Sequence, residues 1–188
     1  MRWPSPAASA WRRARRSRPP GNRPRAGAEQ GAVAALVALA LPVLILSAGL
    51  VIDVAYLFWM RTAVQAAADF AALAGAQNVD LEALAQGQRL LLVEEAAADA
   101  RHWARLNLAA HPATAGYQDA ALVEVVVTNA APGAPARQRW TGRLLTDPTV
   151  SVRISLRVRP FLIRSLVPEV EVSALADAAL LEKADPLE

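Results

Sequence analysis

Few side chains in this sequence are of the types that carry catalysis or hold a metal ion. There is no cysteine, and the two histidines, His102 and His111, do not form an HExxH pattern. A thiolate nucleophile, a disulfide and a thiolate metal site are therefore excluded, and no Gly-x-Ser-x-Gly sequence marks a serine nucleophile. Glu94 and Glu95 are adjacent, so their side chains diverge on a helix and make poor acid–base partners. We predict no enzymatic activity, no cofactor and no metal site.

The most informative stretch is instead an uncharged apolar segment, residues 32–52. Its 21 residues would span about 31 Å as an α-helix, close to the ~30 Å hydrocarbon thickness of a bilayer. Lipid offers backbone amides no hydrogen-bond partner, so such a segment must be helical. A core helix of a soluble domain is the alternative, but core helices seldom run so long without a charge. The segment therefore predicts a transmembrane helix.

The charge distribution predicts the orientation of this helix. Residues 1–31 contain eight Arg and one Glu, a net charge of +7, whereas residues 53–188 contain twelve Lys or Arg and sixteen Asp or Glu, a net charge of −4. The positive-inside rule then places the N-terminus in the cytoplasm and the C-terminal part outside it. The arginines on which this topology depends are Arg12, Arg13, Arg15, Arg16 and Arg18.

The same arginine cluster has three interpretations. Anionic lipid would hold it at the membrane surface with about 1 kcal/mol per basic residue. Nucleic-acid binding is not expected, because no folded nucleic-acid-binding motif accompanies the cluster. A twin-arginine export signal has the paired arginines, but the apolar segment is longer than the roughly 7–15 residues of a signal peptide.

Asp53 ends the uncharged segment, and its placement has two alternatives. In the first, it marks the outer boundary of the membrane, followed by the interfacial aromatic residues Tyr56, Phe58 and Trp59. In the second, it is buried and needs a partner on another helix. A carboxylate at the bilayer centre costs about 2.5–3.5 kcal/mol, so the first placement is favoured.

The alanine-rich residues 61–76 are expected to continue the same helix into water as a stalk. Arg61, Gln65 and Asp69 lie four residues apart, along one ridge of that helix. This ridge is either a solvated stripe or a contact line for another subunit.

Beyond the stalk, the periodicity predicts a second helix and then strands. The helix is expected over residues 81–108, capped by Asn78 or Asp80 and closed before Pro112. Strands are expected at residues 122–128, 150–159 and 170–178. In residues 150–159 the apolar side chains alternate with serine and arginine, which predicts a strand of an antiparallel sheet with one buried face. Its arginine face is expected to be solvated, with acidic partners or lipid headgroups as alternatives.

These elements predict an α+β fold class. A single long N-terminal transmembrane and stalk helix is followed by a second helix packed on a small antiparallel sheet of three to four strands. The expected organisation is a disordered basic cytoplasmic tail (1–30), a transmembrane helix and alanine-rich stalk (31–78), a small exported α+β domain (79–182) and a frayed C-terminus (183–188).

Three linked features within residues 31–78 carry a family resemblance. Ala40-Leu41-Pro42 lies inside the apolar run, the sequence GLVID ends it at Asp53, and QAAAD, beginning at Gln65, is followed by AALA. This stretch resembles the N-terminal region of the TadE/TadG-like proteins of Tad (Flp) pilus assembly. The positions that recur in that family fall on Asp53, Gln65, Asp69 and Leu73, which we take as candidate partner-contact residues.

The resemblance implies a membrane-anchored, non-enzymatic structural component of a Tad (Flp) pilus or a related secretion apparatus. The expected location is the bacterial inner membrane, crossed once, with the N-terminus cytoplasmic and the C-terminal domain periplasmic. Expected partners are the lipid bilayer, other pilus-assembly or secretion proteins, and a second copy of the chain through the stalk helix. The alternative function is a membrane-tethered domain that binds or senses an envelope ligand.

The sequence departs from the family in two respects. The von Willebrand-type domain of long TadG proteins does not fit in the roughly 136 residues beyond the apolar segment. TadE-type pseudopilins carry a glutamate five residues after a processing glycine, and counting from Gly31 that position is Leu36. We therefore expect the N-terminal anchor to remain uncleaved.

Overall fold

A computed structural model describes residues 26–181 of the 188-residue chain. Residues up to Val43 belong to one compact unit and residues from Leu44 onward to a second. The chain forms three helices and five strands within the described range, with a short 3₁₀ turn. In order they are α1 Ala26–Ala76, α2 Leu81–Ala85, α3 Val93–Ala110, β1 Leu122–Thr128, β2 Ala136–Arg137, β3 Leu144–Leu145, β4 Thr149–Val158, the turn Ile163–Ser165 and β5 Val170–Ala179. The predicted α+β fold class is confirmed.

Helix α1 contains the predicted apolar segment. Among the described residues it is the one helix long and apolar enough to cross a membrane, over Gly31–Ala76. Its side chains between Leu44 and Ile52 are apolar or small, and the large ones point away from the protein: Leu46 is 72% exposed and Val51 is 68% exposed. The large side chains of this part of α1 therefore present an apolar surface outward.

Strand β4 is the centre of the main sheet, in the order β1-β4-β5, and both neighbours pair with it antiparallel. The alternation predicted for this strand is confirmed. Its even-numbered apolar side chains are all buried on one face: Val150, Val152, Ile154, Leu156 and Val158. The register sets valines of β1 and small residues of β5 beside them, so the three strands share one apolar face.

The second half of α1 and α3 both pack against that apolar face. The alanines predicted to line a stalk are buried here in the core, namely Ala63, Ala67, Ala68, Ala71 and Ala72. Helix α3 contributes its own small residues, Ala96, Ala100 and Ala104, to the same cluster. Side chains this small let two helices and a sheet approach closely. One face of α1 thus forms part of the core, whereas the sequence alone suggested a helix surrounded by water.

The second predicted helix, residues 81–108, is two helices in the structure. Asp80 caps α2, its carboxylate accepting from the N–H groups of Glu82 and Ala83 at 3.0 and 2.9 Å. The chain leaves the helix after Ala85 and turns at Gly87, whose φ is +79°. Leu91 next pairs its backbone with the side-chain amide of Asn129, at 2.8 and 3.0 Å. This tie to the end of β1 offsets the lost helical hydrogen bonds, and α3 begins only at Val93.

The opposite face of the sheet is partly covered by the small β2–β3 hairpin. Gln138 of this hairpin is buried and donates to the Asp177 carboxylate of β5 at 3.3 Å. Arg143 pairs with the same carboxylate at 2.9 Å. Farther along β4, Arg157 is exposed. The predicted solvated face is therefore confined to the end of the strand nearest the β4–β5 connection. We define this connection as residues 159–169.

Gly75 of α1 lies tightly against α3, and its replacement gives a first prediction. A Cβ at this position would lie 2.8 Å from the carbonyl oxygen of Ala96 and 3.1 Å from the Cβ of Ala100. Gly75→Ala should therefore destabilise the chain by about 1–3 kcal/mol, despite the better helix propensity of alanine. Thermal unfolding of the detergent-solubilised chain measures this.

Gly49→Ala is the matched control on the same helix. Its added Cβ would meet the Cδ1 atom of Leu162 at 2.9 Å, but that atom is the end of a flexible side chain. We expect a change within about 1 kcal/mol of zero. Equal losses of stability in Gly75→Ala and Gly49→Ala would show that the α1–α3 contact is no tighter than the contact of Gly49 with Leu162.

Candidate functional site

Asp53 is completely buried and lies at the centre of an unusual backbone contact. Its two carboxylate oxygens accept four hydrogen bonds from three consecutive amides of the β4–β5 connection. The N–H of Phe161 donates to Oδ1 at 2.7 Å and that of Ile163 to Oδ2 at 2.7 Å. The N–H of Leu162 is shared between the two oxygens, at 3.2 and 2.9 Å. The Asp53 carboxylate therefore occupies this cluster of backbone donors as a bound anion would.

The local sequence explains why these three amides need an acceptor. Pro160 has no N–H and ends the β4 ladder, as its type predicts. The amides of Phe161 and Leu162 come just before the turn Ile163–Ser165 and that of Ile163 begins it, so none of the three has an acceptor within the turn. A carboxylate satisfies several such donors at once, and charge-assisted hydrogen bonds are stronger than neutral ones.

Two further contacts fix the connection on α1. Gly49, one turn before Asp53, leaves room for the side chain of Leu162, whose Cδ1 would lie 2.9 Å from a Cβ at that position. The rings of Tyr56 and Phe161 meet edge to face, with centroids 6.1 Å apart and planes at 88°. Three successive turns of α1 thus contact one short segment of the chain.

The sequence did not reveal this pairing. It singled out Asp53 and offered an interfacial position or a partner on another helix, whereas the partners are backbone amides of the same chain, more than a hundred positions away. A short helical turn lies in this segment, at Ile163–Ser165. A proline followed by such a turn was the available sequence signal that unpaired amides occur there.

Gln65, Asp69 and Leu73 lie farther along α1 and do not converge with Asp53. The Gln65 amide donates to the Asp69 carboxylate at 2.9 Å and to the backbone oxygen of Leu175 in β5 at 3.3 Å. Gln65 thereby joins α1 to the sheet. Asp69 and Leu73 are exposed, on the side of the helix that the core leaves open.

The arginines of the N-terminal cluster lie outside the described residues: Arg12, Arg13, Arg15, Arg16 and Arg18. Within residues 26–181, no cluster of three or more His, Cys, Asp or Glu side chains has an arrangement that could hold a metal ion. The notable arrangement in this range is therefore a buried carboxylate that ties a loop to a helix.

The α1 residues of this arrangement, Asp53 among them, lie in a segment that matches a protein family. Residues 31–78 match the Tad family model of putative Flp pilus-assembly TadE/G-like proteins. The resemblance seen in the sequence is confirmed over this range, which is about a quarter of the chain and ends two residues after α1. No curated protein and no solved structure matches the chain. The Tad-matched segment includes Asp53, Gln65, Asp69 and Leu73, whereas the β4–β5 connection that Asp53 binds lies outside it.

Proposed function

We propose that this chain is a single-pass, membrane-anchored scaffold of a Tad (Flp) type pilus-assembly apparatus. In this proposal residues 32–52 span the inner membrane, the basic tail stays in the cytoplasm and the domain beyond Asp53 is exported. The observation that carries the proposal is the coincidence of the Tad match with α1. The matched segment supplies both the uncovered apolar surface before Asp53 and the core helix of the domain after it.

The exposure pattern of α1 supports the anchoring. The large side chains between Leu44 and Ile52 are exposed and apolar, and a soluble monomer rarely leaves so large an apolar surface in water. Phe58 and Trp59 are also exposed, just beyond Asp53, where aromatic rings favour the headgroup region. Asp53 itself is satisfied inside the protein, so its charge does not oppose a position at the edge of the hydrocarbon.

A contact surface on α1 supports the scaffold role. Asp69, Phe70 and Leu73 are exposed next to one another on the helix, and both apolar side chains are more than half exposed. Because the opposite face of α1 is held in the core and Gln65 is tied to β5, this surface is presented on a rigid element. A rigid, partly apolar surface suits binding to another protein of the apparatus.

Asp69→Ala tests this surface. The Asp69 carboxylate is exposed and accepts a hydrogen bond from the Gln65 side chain, so we expect the melting temperature to change by less than about 2 °C. The recovery of cross-linked pilus-assembly proteins from intact cells should fall several-fold.

Glu94→Ala, which removes an exposed acidic side chain of α3, is the control and should change neither quantity. A loss of stability in Asp69→Ala equal to its loss of complexes would assign this carboxylate an intrachain role. Cells that lack the gene should lose surface filaments and regain them with the wild-type gene. Normal filaments in the deletion strain would overturn the proposed function.

A further inference from the structure

The β4–β5 connection exposes several apolar side chains although it is firmly docked. Phe161 is 77% exposed and Leu166 is 81% exposed, and Leu162 is more than half exposed. We propose that this connection is a second membrane contact, which enters the hydrocarbon edge of the outer leaflet beside the anchor helix. The inference rests on the proposed anchoring of residues 32–52 and adds a lipid-binding element that lies outside the Tad-matched segment.

The depth of the connection follows from its contact with α1. Leu162 packs at Gly49, which lies one turn, about 6 Å, to the N-terminal side of Asp53. Gly49 belongs to the uncharged segment, between the exposed side chains of Leu46 and Leu50. A bilayer that covers these leucines also reaches Leu162. The apolar surface of the connection is therefore continuous with that of the span.

The backbone of the connection is adapted to a site without water. Irregular backbone is tolerated in lipid only if its polar groups are satisfied within the protein. The amides of 161, 162 and 163 donate to Asp53, and the N–H groups of Leu166 and Val167 donate to the carbonyl oxygen of Ile163, both at 2.8 Å. In water these amides could donate to solvent instead, so a carboxylate that accepts their hydrogen bonds would stabilise the connection only slightly.

Two arginines flank the apolar side chains. Arg164 is exposed within the connection, and Arg159 pairs with Glu169 at 3.1 Å while remaining largely exposed. Guanidinium groups form bidentate hydrogen bonds with phosphate, and long side chains reach from an apolar surface to the headgroup layer. Apolar side chains bordered by arginines match the chemistry of a phospholipid surface.

A partner protein could also cover these side chains, but the bilayer is favoured by position. The span and the connection share one surface at Gly49, so lipid that surrounds the first is already adjacent to the second. The partner surface at Phe70 and Leu73 begins about six turns beyond Gly49 along α1 and is separate from this shared surface.

The absence of native cysteine allows a direct test with the full chain. Single-cysteine variants Phe161→Cys and Leu166→Cys are labelled with an environment-sensitive fluorophore and reconstituted in phosphatidylcholine–phosphatidylglycerol vesicles. Leu46→Cys is the control for the span, and the exposed Ala131→Cys is the control for the aqueous domain. Each label is quenched separately by spin-labelled lipid and by aqueous iodide.

We expect the labels at 161 and 166 to be quenched by spin-labelled lipid and protected from iodide several-fold relative to position 131. Iodide quenching at 161 and 166 equal to that at 131, with position 46 still protected, would overturn the second contact and leave the anchor intact. Protection from iodide without quenching by lipid would assign the surface to a protein contact and also overturn the inference. Loss of protection at position 46 would instead contradict the anchoring itself.

Discussion

Asp53→Asn should release the β4–β5 connection from α1 and lower the melting temperature of the detergent-solubilised chain by roughly 5–10 °C. The carboxylate accepts four hydrogen bonds from three amides. An asparagine side chain has one oxygen and would direct its own N–H₂ group at these donors, so at least one buried amide would lose its acceptor. Hydrogen exchange at residues 161–163 should accelerate by at least tenfold, because the amides would no longer be held.

Asp69→Asn is the matched control, since it makes the same substitution on the same helix. This carboxylate is exposed and accepts from the Gln65 side chain, so the melting temperature should stay within about 2 °C of the wild-type value. Hydrogen exchange at residues 161–163 should also be unchanged. A similar loss in both variants, or unchanged exchange in Asp53→Asn, would show that Asp53 does not hold the connection.

Paired lysines in the apolar segment should remove the chain from the membrane. Lysine at the centre of a transmembrane helix costs about 2.5–3.5 kcal/mol, and Leu41 and Leu44 lie near the middle of residues 32–52. Both side chains are more than half exposed, so neither is replaced inside the folded domain. The double variant L41K/L44K should lose most of its membrane-bound fraction in alkaline carbonate extraction.

The double variant F70K/L73K provides the control on the same helix. Phe70 and Leu73 are also apolar and more than half exposed, but they lie beyond Asp53. If they face partners in the exported domain, this variant should remain in the membrane fraction while its cross-linked complexes decrease. Equal extraction of both double variants would show that the membrane does not distinguish the two ends of α1.

The sheet could be predicted from the sequence because its signal is local. In β4, apolar and polar side chains alternate without interruption from Val150 to Val158, and burial of one face is sufficient to specify such a strand. The end of α3 was equally local, since the residue before Pro112 avoids the helical conformation and His111 is extended. The apolar segment before Asp53 was predicted for the same reason, from its own composition.

The candidate site was harder to predict because its contacts join distant parts of the chain. Nothing near Asp53 indicates which donors its carboxylate will accept from. Pro160 signals unpaired amides in the residues after it, but not the side chain that will satisfy them. The alanines of α1 suggested a smooth helix surface in water. In the structure they share one buried cluster with the similar alanines of α3, so the two surfaces pack together. The break between α2 and α3 likewise depends on the bond from Leu91 to Asn129, 38 positions away.

Labelling of single cysteines in spheroplasts tests most directly whether the chain crosses the membrane once with its domain outside. A membrane-impermeant maleimide is applied to Ala131→Cys, in the folded domain, and to Ala10→Cys, in the arginine-rich tail. We expect position 131 to be labelled in intact spheroplasts and position 10 to be labelled only after lysis. Labelling at position 10 before lysis with protection at position 131, or recovery of the unlabelled chain in the soluble fraction, would contradict it.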